Sequence, residues 1–115
     1  MRNPMSSTAA QSEIATVAET VDRLTRAGYV DWFRSEDGRL RASKSGCLHV
    51  PEAMRVDEVV RFEGETDPAD EAIVFALTCK EHGVKGTFTT PYGKDTPTAD
   101  AETIRLLHLE AARRV

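Results

Sequence analysis

Two short stretches hold residues able to do chemistry at close spacing: Cys79-Lys80-Glu81-His82-Gly83 and Cys47-Leu48-His49. Thiolate and imidazole both bind zinc, and a tight turn ending in glycine lets residues spaced C-x2-H reach one ion. Cys79 and His82 have that zinc-knuckle spacing. Cys47 and His49 form a second pair, although C-x-H is not a usual knuckle spacing. Four ligands from two hairpin ends, Cys47, His49, Cys79 and His82, would close a ribbon-like structural zinc site with no position left for water. The competing reading is simpler. Strand alternation puts Cys79 on the face of Ile73, Phe75 and Leu77, where free cysteine behaves as a small buried hydrophobe. His82 is then an exposed turn residue. This buried-thiol reading leads, and zinc is the alternative cofactor; otherwise no cofactor is expected.

A second candidate surface is acidic. Between Asp57 and Glu71 stand seven carboxylates and one arginine, Arg61. Glu65, Asp67, Asp70 and Glu71 supply the oxygen ligands that hard cations want, but their spacing does not fit a calcium loop. The leading reading is a solvated hairpin loop; a basic partner surface is the alternative. Arg61 and Glu63 fall on the wet face of a strand, and Tyr92, after Pro91, falls at a strand exit. A contact surface built from Arg61, Glu63, Glu65, Asp67, Asp70 and Tyr92 is the expected binding region.

The elements that must position these groups follow from periodicity. Ile14, Val17, Val21 and Leu24 recur at helical spacing, Thr8 with Gln11 fits a capping box, and Gly28 sits where the helix stops. Tyr29 to Arg34 reads as a strand, Asp37-Gly38 as a turn and Arg39 to Ala42 as the returning strand. Pro51 opens a short helical turn. Asp57 to Glu63, Ala72 to Cys79 and Val84 to Thr90 read as three more strands, the middle one apolar on both faces. Thr96-Pro97 is expected to cap a last helix, with Ile104, Leu107 and Ala111 facing inward and Leu106 and Leu109 widening the stripe. The fold class is therefore α+β: a mainly antiparallel sheet of about five strands with N-terminal and C-terminal helices packed on one face.

The totals narrow the function. A chain of 115 residues holds one core, so residues 1–7 are expected to be disordered and 8–115 to form a single domain. The net charge of −4 argues against nucleic acid, whose binders carry a basic face. No apolar run is long enough to cross a bilayer, and the opening residues have no hydrophobic centre of a secretory signal. A cytoplasmic setting is expected, where two cysteines stay reduced. There is no P-loop, no dinucleotide fingerprint and no nucleophile elbow. His49, His82 and His108 occupy unrelated contexts in the sequence.

The run Arg61-Phe62-Glu63-Gly64, with Asp67-Pro68 and Asp70, followed by Gly83-Val84-Lys85-Gly86-Thr87-Phe88 and Tyr92-Gly93, resembles a group of short uncharacterised bacterial proteins. The likeness covers most of the chain after about residue 15. Some members of the group look to carry cysteine pairs at the two turns. Members are sometimes labelled phosphoribosylpyrophosphate synthetase, an activity that implies a phosphate-binding loop; here Asp57-Glu58 is an acid pair with no Thr-Gly loop after it. The expectation is a small non-catalytic binding or regulatory module that meets an unknown protein partner or small ligand, with no membrane. The alternatives are a structural zinc module and a small phosphate- or nucleotide-handling enzyme.

Overall fold

The structure, a computed structural model, describes residues 16–62, 71–93 and 96–113. The element order is α1 (Val17–Arg26), β1 (Asp31–Glu36), β2 (Arg39–Ala42), β3 (Leu48–His49), a 3-10 turn (Pro51–Ala53), β4 (Met54–Phe62), β5 (Ala72–Cys79), β6 (Lys85–Pro91) and α2 (Thr98–Arg113). The fold class is α+β, with six strands in one sheet ordered β3-β2-β1-β6-β5-β4. All pairings are antiparallel except β1 with β6, which run parallel.

That order has a geometric consequence. β3 and β4 are the two edges of the sheet, yet only the four residues Val50 to Ala53 separate them in the chain. A flat six-stranded sheet measures about 24 Å from edge to edge, whereas five residue steps span at most about 18 Å. The sheet must therefore curl until its edges approach, and the 3-10 turn shortens the link further. The backbone N–H of Lys80 donates to the carbonyl of Ala53 at 2.8 Å, tying this link to the end of β5.

The alternation of β5 divides the interior in two. Ile73, Phe75, Leu77 and Cys79 face one way, into a core with Phe33, Leu40, Ala42, Met54, Val56 and Phe88 that α2 covers with Ile104 and Leu107. Val74 and Ala76 face the other way, beneath Leu24 of α1, with Val17, Val21, Tyr29 and Phe62 around them. The two helices thus lie on opposite faces of the sheet. This corrects the one-face placement read from the sequence, and the reason is the unbroken burial of β5: a strand apolar on both sides needs a cover on both.

Local chemistry fixes the joints. Thr16 and Glu19 form the capping box of α1, with mutual bonds of 2.9 and 3.0 Å; the Thr8 and Gln11 box and the expected disorder of 1–7 lie outside the described residues. Asp37 (φ 53°) and Gly38 (φ 77°) make the β1–β2 turn, as the dipeptide predicts. α2 begins at Thr98. The Thr96 hydroxyl is not its cap but exchanges hydrogen bonds of 2.8 Å with the backbone of Gly93. Leu109 is exposed, and the inward stripe of α2 is completed instead by Thr103 and Glu110. Asp100, in the first turn of α2, accepts from the hydroxyls of Ser35 and Thr90 and so anchors the helix to β1 and β6.

On the α1 side, Asp57 sits where the β4–β5 register shifts. It accepts from Arg55 (2.6 Å), Thr78 (2.6 Å) and Tyr29 (2.8 Å). Burial works to raise its pKa, but these three donors outweigh burial and hold the carboxyl below its ordinary range. No helix among the described residues is long and apolar enough to cross a membrane.

Candidate metal centre

Cys79 ends β5 with its side chain turned into the core, 1% exposed. The chain then reverses: Cys79 N–H donates to the Val84 carbonyl at 2.7 Å and Gly83 N–H to the Cys79 carbonyl at 2.8 Å. Gly83 takes φ 72°, a left-handed conformation that glycine adopts without steric cost. The turn carries His82 back over its own strand, and His82 Nδ1 lies 3.6 Å from Cys79 Sγ.

His49 arrives from the opposite edge. In the β2–β3 ladder it stands opposite Leu40, a core residue, so its side chain points to the core face. The curl of the sheet brings that edge over the end of β5. His49 is buried, and its Nδ1 lies 3.5 Å from Cys79 Sγ. The His49 and His82 ring centres are 6.1 Å apart, and Phe33 meets the His49 ring edge-on at 6.0 Å. One donor atom from each of His49, Cys79 and His82 lies within 4.8 Å of the others.

These distances suit a shared ion. With metal–sulfur and metal–nitrogen bonds of about 2.3 and 2.05 Å at a tetrahedral angle, sulfur and nitrogen stand about 3.6 Å apart. Both observed separations match. A thiol has a single proton to donate, so it cannot donate to both rings at once. His49 Nε2 is buried and finds no hydrogen-bond partner among the described residues. Burial foremost, and then the neighbouring His82, lower the His49 pKa against the opposing pull of Asp31 and Glu81. A neutral imidazole is the form that binds metal.

Cys47 does not join the group. It is exposed, it precedes β3, and its N–H leans on the Ser45 hydroxyl at 3.3 Å. The four-ligand closed shell is thus corrected to a three-residue cluster. The inward turn of Cys79 is as the alternation predicts, but its companions include two imidazoles.

Of the expected binding region, Arg61 and Tyr92 come together: the guanidinium lies 4.8 Å from the ring centre. Glu63, Glu65, Asp67 and Asp70 lie outside the described residues. Tyr92 also lines a cavity of about 560 Å³ with Gly93, Thr96, Ile104, Arg105 and His108 among its walls. The sequence signal for this cavity is faint, since no motif marks it and His108 reads only as a partly exposed residue of the last helix. Comparisons of the chain with protein-family models, with curated proteins and with solved structures returned no match.

Proposed function

We propose that this protein is a metal-binding module whose centre is His49, Cys79 and His82. The observation that carries the reading is the gathering of one thiol and two imidazoles from two separate parts of the chain, with both imidazole Nδ1 atoms 3.5–3.6 Å from the sulfur and one donor atom from each residue within 4.8 Å of the others. A thiolate with two imidazoles suits a borderline-soft transition ion, and zinc and copper both qualify. Three protein ligands leave coordination space, and His82 is exposed, so the ion is reachable from outside. Its second effect is structural: the ion ties the β3 edge to the β5–β6 turn across the open seam of the curled sheet.

The test is metal content. Protein purified without chelator, then stripped and reloaded with zinc, is expected to hold one ion per chain. His82→Ala should lose it, while Cys47→Ser should keep it. Less than a tenth of an equivalent after reloading with zinc and, separately, with copper contradicts the reading.

A second reading rests on the cavity beside Tyr92. Aromatic and aliphatic walls with Arg105 and His108 at hand, and Arg61 stacked on Tyr92, suit a small anionic molecule with an apolar body. A thermal-shift screen of aromatic carboxylates and nucleotides tests it, because a ligand of the native state raises the melting temperature. Curves that stay flat across the set exclude it.

A further inference from the structure

Cys79 also has a sulfur-bearing residue opposite it in the sheet. In the β4–β5 ladder its direct partner is Met54. Directly opposed residues of an antiparallel pair project from the same face, with Cβ atoms about 4.5–5.5 Å apart. Met54 is fully buried and belongs to the same core cluster as Cys79. Its thioether ends a chain of freely turning bonds, so the Met54 sulfur has the reach to approach Cys79 from the core. With that thioether turned toward Cys79, the donor set would be a thiolate, two imidazoles and a thioether.

The thioether separates the two ions that the three-residue cluster admits. Zinc is held in proteins by thiolate, imidazole and carboxylate. Two imidazoles and a thiolate in a trigonal set, with a weak and distant methionine, make a mononuclear electron-transfer copper site. Copper(II) also lies above zinc in intrinsic affinity for such ligands. We infer that the resident ion is a single copper, bound by His49, Cys79 and His82 and capped on its buried side by Met54.

The placement of the ligands gives that ion a use. Cys79, His49 and Met54 are buried, and His82 is the exposed ligand. The thiolate is shielded from water, and His82 is the contact through which an external one-electron carrier meets the site. One electron moves between that carrier and the Cu(I)/Cu(II) couple. No ligand is gained or lost, and no covalent bond forms or breaks.

This inference rests on the metal-site reading above, and one experiment separates the two. The full-length reduced protein, stripped of metal, is titrated with Cu(II) under argon, and with zinc in parallel. One equivalent of copper should produce an intense visible thiolate-to-copper band. The band should bleach with ascorbate and return with ferricyanide. Met54→Leu, a volume-conserving change, and Met54→Gln should both keep one equivalent of copper while moving the reduction potential in opposite directions, upward for Leu and downward for Gln. Zinc binding without a stable copper band, or copper that merely oxidises the thiol, overturns the copper assignment and leaves the metal site standing. Failure of both ions to bind overturns both. An unchanged band and potential in both Met54 variants removes Met54 from the site.

Discussion

His49 and Cys79 stand 30 residues apart in the chain, yet Nδ1 of one lies 3.5 Å from Sγ of the other. The contact exists because the two edges of a six-stranded sheet are consecutive in sequence, joined by Val50 to Ala53. The curl that this link imposes carries the histidine of one edge over the cysteine at the end of β5. His82 then comes from the turn that follows. A metal at this point would span the seam of the sheet, and its binding would be coupled to folding.

The coupling predicts a rise in stability with metal. At a free-ion concentration about 100 times the dissociation constant, the native state gains about 2.7 kcal/mol. Urea denaturation of the stripped and loaded protein should show the difference, and His49→Ala should abolish it. Equal midpoints with and without a stoichiometric ion would place the metal elsewhere.

Loss of a single ligand should be costly for the ion and uneven for the fold. His82 is exposed, so His82→Ala is expected to leave the stripped protein's stability within about 0.5 kcal/mol. Outer-shell partners alone are worth about 10–100-fold in metal affinity, so removing this direct ligand should weaken binding at least about 100-fold. Competition against a chromophoric chelator measures it. Cys47→Ser should give the wild-type constant.

Asp57 predicts an acid-sensitive fold. Its carboxyl is held below its ordinary range by Arg55, Thr78 and Tyr29 despite burial. A depressed native pKa contributes stability that is fully present above the unfolded value, about 3.9, and is lost as pH falls through the native value. Asp57→Asn should flatten the stability profile below about pH 4. At neutral pH it should also cost about 1–3 kcal/mol, because donors arranged for a carboxylate meet a weaker acceptor. Urea midpoints across pH 2.5–6 give both numbers.

Much of the fold is legible in the sequence, and its limits are instructive. The strand β1 follows from its aromatic and β-branched residues, β5 from its apolar run, β4 in part from alternation, and the β1–β2 turn from Asp37-Gly38, because these signals are local. The parallel pairing of β1 with β6 is not local, and no dipeptide announces it. Neither is the division of the helices between two faces, although β5, apolar on both sides, already implied it. His49 was the least visible site residue. Its strand is two residues long, too short for a period, and its burial comes from a cross-strand partner and from the curl. Cys79 shows why burial and ligation are not rival readings: it points inward as its period demands, and inward is where His49 arrives.

Gly86 marks how closely β1 and β6 approach. A Cβ added there would lie 2.5 Å from the Asp31 carbonyl oxygen and 2.9 Å from a Phe33 ring carbon. The first is backbone and cannot swing aside. Gly86→Ala should therefore destabilise the protein by about 1–3 kcal/mol. Phe33 belongs to the core and meets the His49 ring edge-on, so the same change should loosen metal binding. An unaltered denaturation midpoint would contradict the tight β1–β6 pairing.

X-ray absorption at the metal edge of the loaded protein reads the ligand shell most directly. One ion per chain is expected, with one sulfur at short range and two imidazole nitrogens, and that sulfur should be lost in Cys79→Ser. A shell of oxygen and nitrogen alone, or one with two thiolate sulfurs, would contradict this ligand set.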